Sequence, residues 1–180
     1  MTRVEDVDPS RTALLLMDCQ SAVLAVYGPG DDTQYLEALR TVRADTSRAG
    51  CHVIHVVTVF RAGHPEVAPS NATFSEVRDA NMLVENAPGT GIHPRLAPTD
   101  SDLVVTKRRV SAFAGSDLDI VLRAKGITTL VLAGVITSGG NTIPRGGNSY
   151  GAASTPTTRT LTCGPLKTEA SPGGLTRPAT

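Results

Sequence analysis

Residues 102–139 read DLVVTKRRVSAFAGSDLDIVLRAKGITTLVLAGVITSG, and their pattern decides the fold. Residues 103–105 and 130–132 are short apolar runs, while the segment between them has helical spacing, with Leu118, Val121 and Leu122 on one face. Ser116 is positioned to cap that helix. Asp119, three residues on, gives the look of a capping box, and Gly126 suits the left-handed residue that ends a helix. Strand, helix and strand in this order make a parallel βαβ crossover.

Working outward, residues 13–17 are apolar at every position, as in a strand covered on both faces, and Asp18 sits at its carboxyl end. Open α/β sheets place their sites there, although an aspartate in this position can equally cap the helix expected over 20–26. Asp31, Asp32 or Thr33 starts a second helix with Leu36, Leu39 and Val42 on one face, which ends at Gly50. Residues 51–59 form the second strand. Its His52 and His55 fall on opposite faces by the two-residue period, which argues against a shared metal. Residues 60–101 are rich in Pro, Gly, Asn and His, with a short helix expected only over 74–84. Such a long irregular segment in a compact domain is functional or mobile.

A chain of 180 residues suits one domain, with 40% apolar residues to build a core. Seventeen acidic and seventeen basic residues balance, so there is no electrostatic footprint for nucleic acid. The apolar run 13–17 is too short for a membrane span or a signal-peptide core, which places the protein in the cytoplasm. Cys19, Cys51 and Cys163 show no C-x-x-C spacing, so neither a disulfide framework nor a zinc site is expected.

Three separated motifs, in order, resemble the isochorismatase-like cysteine hydrolases: Asp18-Cys19-Gln20 after the first strand, Lys107 followed by the segment Ser111 to Leu118, and the run Gly126 to Gly139. The resemblance covers residues 10–139. It implies an α/β fold of three α/β/α layers around a mostly parallel, Rossmann-like sheet of order 3-2-1-4-5-6. It also implies Asp18 as general base toward a cysteine nucleophile and Lys107 as a stabiliser of negative charge. Gln20, Phe60, Arg61 and Phe113 are then candidates for substrate contact, with His64 and Asn71 beside them. Val135, Ile136 and Gly139 would offer backbone to an oxyanion, since a helix start supplies N–H groups and lowers a thiol's pKa. Some relatives, the nicotinamidases, bind a metal through D-x-H in the 60–101 zone. No D-x-H occurs here, so neither metal nor cofactor is expected. The implied partners are a small-molecule substrate and further copies of the chain.

The pattern breaks at position 140. Where the family carries its nucleophilic cysteine this chain has Gly140, and 24 of the 41 residues from there onward are Thr, Gly, Pro or Ser. Pro144, Gly146 and Gly147 interrupt the helix the family would begin here. Residues 1–139 thus read as an incomplete domain with four of its strands, the C-terminal ones missing or replaced. Residues 140–180 read as a low-complexity tail that is either a frameshift product or a divergent, disordered segment. The exposed fourth strand expected from this points to poor solubility or oligomerisation. In the family the Val135–Ile136 peptide is cis; here that geometry is expected only if an ordered helix begins near residue 140.

Two functions fit. One is a hydrolase of a small amide or vinyl ether, impaired by the missing nucleophile; the other is a non-catalytic relative that keeps the pocket for binding or assembly. In either case Asp18 and Lys107 are expected within salt-bridge reach.

Overall fold

The computed structural model describes residues 7–135 and the backbone of a strand at Thr157–Thr160. The elements are β1 (Thr12–Met17), α1 (Ser21–Tyr27), α2 (Thr33–Arg48), β2 (His52–Thr58), α3 (Ala72–Asp79), β3 (Leu103–Lys107), α4 (Leu118–Ala124), β4 (Thr129–Gly134) and β5 (Thr157–Thr160). The strands form one parallel sheet in the order β3-β2-β1-β4-β5. The central β1 is buried along its whole length, as its unbroken apolar run requires.

Alternation along the strands sorts the core into two layers. Leu15, Met17, Ile54, Val56, Leu130 and Leu132 pack under α4 through Leu118 and Leu122. On the opposite face Leu14, Leu16, Val53 and Ala133 meet Leu24 of α1 and Leu36 and Leu39 of α2. Asp32 caps α2, its carboxylate accepting from the N–H groups of Gln34 and Tyr35 at 2.8 and 3.0 Å. His55 is enclosed within a strand; its Nε2 lies 3.4 Å from Asp102 Oδ2, which Arg43 holds in an ion pair. Burial depresses the pKa of His55 against the pull of Asp102.

Several details differ from the sequence reading. A fifth strand joins the sheet where four were expected: the backbone of Thr157–Thr160, a run of β-branched residues around one arginine, pairs in parallel with Thr129–Leu132. The paired part of β4 is therefore not an edge. The short helix expected over 74–84 is Ala72–Asp79, begun by Asn71, whose side chain accepts from Phe74 N–H at 3.3 Å. At α4 the cap position falls to Asp117, while the Ser116 hydroxyl accepts from Leu118 N–H at 3.1 Å. Asp119 pairs with Arg123 one turn on, at 2.7 Å, instead of reaching back. Gly126 ends the helix at φ 64° as expected. Ile136, Gly139 and Gly140, and with them the Val135–Ile136 peptide and the expected character of the tail, lie outside the described residues.

Residues 60–101 fold over the carboxyl end of the sheet. Phe60 N–H donates to Leu83 O at 2.8 Å, Ala22 N–H to Gly89 O at 2.9 Å, and His93 N–H to Cys19 O at 2.9 Å. Val23, Phe60, Val67, Val77 and Leu83 make a third apolar cluster there. No helix among the described residues is long and apolar enough to cross a membrane.

One contact in the sheet has no slack. Gly134 has φ 124°, and a Cβ built on it would lie 2.2 Å from Met17 O and 2.7 Å from Met17 N. Val135 N–H donates to that same Met17 oxygen at 3.0 Å. Since both clashing atoms are backbone of the central strand, Gly134→Ala is expected to cost about 3 kcal/mol or more. Urea unfolding of the variant checks this; a loss below about 1 kcal/mol would mean that β1 and β4 can separate freely at this end.

Candidate active site

The carboxyl ends of three adjacent strands supply one polar row. Asp18 follows β1, Thr58 ends β2 and Lys107 ends β3, where it pairs in register with Thr58. All three are buried, at 1%, 4% and 3% exposure. Lys107 Nζ lies 3.1 Å from Asp18 Oδ2, so the expected approach of the two is present in the fold. Thr58 Oγ1 donates to Asp18 Oδ1 at 2.7 Å. Asp18 Oδ2, facing the ammonium, takes no well-aligned hydrogen bond and is the oxygen open to a proton.

The backbone explains how Asp18 reaches this place. Its φ is 54°, a left-handed conformation that aspartate tolerates better than most side chains. Its N–H donates to Val56 O at 2.9 Å, which keeps it attached to β2. Strain of this kind gathers at functional sites. Cys19 then points the other way, into the layer with Leu14 and Leu16. Burial first, and next the charge of Asp18, push its thiol up to about 12. A thiol so placed is no nucleophile at neutral pH. Cys51, just before β2, is at the opposite end of the sheet.

Behind the pair Gln20 acts as a clamp. Its amide accepts from Thr58 N–H at 2.8 Å and donates to Thr58 O at 2.9 Å and Thr90 O at 2.6 Å. With its amide so committed and no exposure, Gln20 fastens the β1 and β2 ends to the covering segment. It also explains why α1, which it precedes, has no side-chain cap.

A cavity of about 180 Å³ opens on the pair, walled by Val23, Phe74, Val77, Leu83 and Val110 together with Tyr27 and Thr73, with Asp18, Thr58 and Lys107 facing it. The side chains named from sequence for substrate contact lie outside this lining. Phe60 is fully buried and meets Phe74 edge to face, ring centroids 5.2 Å apart. Arg61 reaches Glu66 at 2.7 Å, where Arg108 also arrives at 3.0 Å. Phe113 packs toward the layer under α4. His64 Nε2 meets Met82 O at 2.8 Å, and Asn71 is used as a cap. Thr58 and the apolar walls were not singled out from the sequence. A threonine within a β-branched strand gives no signal of its own, and α3 joins the site only through tertiary folding.

The hydroxyl of Thr58 can be tested apart from any reaction. Thr58→Val keeps the shape but leaves Asp18 Oδ1 buried without a donor, at an expected cost of about 1–3 kcal/mol. Thr58→Ser is expected to recover most of it. Equal stability of the valine and serine variants in chemical denaturation would remove the bond from the account.

Comparison with known proteins places this geometry among relatives. The family model described as "Isochorismatase domain" matches residues 12–142. The uncharacterized isochorismatase family protein YecD of Escherichia coli O157:H7 is 31% identical over 135 residues, 74% of this chain and 69% of the relative. The ureidoacrylate amidohydrolase RutB of Azorhizobium caulinodans is 48% identical over 147 residues, 71% of this chain and 65% of the relative. A cysteine hydrolase of known structure from Pseudomonas syringae pv. phaseolicola superposes with a TM-score of 0.63 at 24% identity, over 71% of this chain and 61% of its own, and shows the likeness of fold. The chain thus spans about three fifths to two thirds of the length of these relatives.

Proposed function

Because the chain belongs to the isochorismatase domain family, we propose that Asp18 and Lys107 form the reaction centre of a hydrolase for a small amide or vinyl ether, in which Gly140 leaves binding but little turnover. The observation that carries the reading is the desolvated Asp18–Lys107 pair, 3.1 Å apart, flooring an apolar cavity at the carboxyl ends of parallel strands. The amidohydrolase among the relatives supports the amide side of it.

The chemistry follows from the groups present. A carboxylate held by Thr58 on one oxygen and by an ammonium on the other can take the proton of a thiol that attacks the substrate carbon, and can return it to the leaving nitrogen. Lys107 lies against the carboxylate in a dry site and offsets the negative charge of the addition step. Gln20 acts here by holding the Thr58 and Thr90 backbones rather than by touching substrate. The Val135 N–H is already committed to Met17 O, so the oxyanion would fall to backbone N–H groups at Ile136 and Gly139, outside the described residues.

Gly140 supplies no attacking atom, and Cys19 is too deeply protonated to replace one. The substitution itself favours the second reading, a relative that binds a small molecule without converting it. A cytoplasmic location and self-association belong to the same proposal; the edge position of β3, with Val104 half exposed, supports the self-association. Incubation of the sequence-verified chain with nicotinamide, N-carbamoyl amides and isochorismate is expected to release no product above background. Rapid turnover through a covalent intermediate would refute this view of Gly140.

A further inference from the structure

On the same reading of the site, we infer that the part of the substrate that does not react is uncharged and apolar, a short hydrocarbon group beside the amide, and not an acid. The walls of the cavity offer mostly carbon, from Val23, Phe74, Val77, Leu83 and Val110, with the hydroxyl-bearing Tyr27 and Thr73 completing the lining. Among the described residues, Lys107 is the one cationic side chain in the lining, and it is already held by Asp18 at 3.1 Å. The arginines near these residues in sequence are engaged elsewhere, Arg61 and Arg108 on the Glu66 carboxylate and Arg109 on the Glu66 carbonyl, and none of them lines the cavity.

An acid placed here would give up its hydration for largely carbon walls, and the Asp18–Lys107 pair, already mutually neutralised, offers it no spare countercharge. A hydrocarbon group gives up nothing and covers those walls. The cavity is small, about 180 Å³, which suits a short chain beside the amide.

Two probes of equal heavy-atom count separate the possibilities: isovaleramide, with an isopropyl group, and malonamate, with a carboxylate in its place. Calorimetric titration of the intact parent chain is expected to show isovaleramide binding at least about tenfold more tightly. Val110 is 37% exposed at the cavity rim, so Val110→Lys adds a cation without filling the core. That variant is expected to reverse the preference. Malonamate bound as well as isovaleramide, or neither bound at millimolar concentration, overturns the inference. A Gly140→Cys chain that stays inactive while the preference for isovaleramide persists removes the proposed reaction and leaves the apolar site standing.

Discussion

Gly140→Cys is expected to raise turnover of a small neutral amide by on the order of 10⁴-fold or more, the size of effect that loss of a nucleophile has in other hydrolases. The gain is expected because the groups that a thiol would need are assembled. Asp18 is buried, anchored on Oδ1 by Thr58 and open on Oδ2 beside Lys107. The chain leaves β4 at Gly134 and Val135, locked onto Met17, the residue before Asp18. Position 140 follows five residues later, so the segment that would carry the thiol sets out from beside the carboxylate. Ammonia release from isovaleramide by the purified parent chain and the purified Gly140→Cys variant measures the effect. Adding Asp18→Asn to the cysteine variant is expected to abolish the gain. A folded Gly140→Cys protein no faster than its parent would mean that residue 140 does not reach the site.

Lys107→Met is expected to destabilise the fold by about 3–5 kcal/mol, because it strands the Asp18 carboxylate in a dry site. Two buried charges at 3.1 Å offset each other's loss of hydration, whereas either one alone is uncompensated. The melting temperature is expected to fall by roughly 10 °C. The double variant Asp18→Asn with Lys107→Met leaves no net charge behind and is expected to recover most of that loss. Urea unfolding of the four chains gives the coupling directly. A loss below about 1 kcal/mol for Lys107→Met alone would mean that water reaches the pair and that the site is far wetter than its burial suggests.

Much of the architecture was legible because it depends on periods that a single strand or helix carries within itself. The unbroken run before Asp18 announced a strand buried on both faces. The helical spacing of Leu118, Val121 and Leu122 between two apolar runs announced the crossover, and Gly126 its end. Asp18 and Lys107 were legible through the motifs around them, and their meeting follows from the order β3-β2-β1. The cap at α4 was read one residue early because two adjacent residues, Ser116 and Asp117, both suit the position. The fifth strand escaped because four residues, Thr157–Thr160, are too few to show a period. What favours them is a partner far away in sequence.

The sequence by itself determined the order of the first four strands and their helices, which faces are buried, the two charged residues at the strand ends and the absence of a thiol at position 140. These are local properties: a side chain's polarity and its place in a two- or 3.6-residue period. Only the tertiary structure decided that Thr58 completes the row between Asp18 and Lys107, and that Gln20 is a clamp on backbone. It likewise decided that Phe74, Val77 and Leu83, rather than Phe60 and Arg61, wall the cavity. Those outcomes depend on how residues 60–101 close over the sheet through backbone hydrogen bonds to β1 and β2. Backbone amides are alike in every residue, so no side-chain pattern could have announced where that segment would dock.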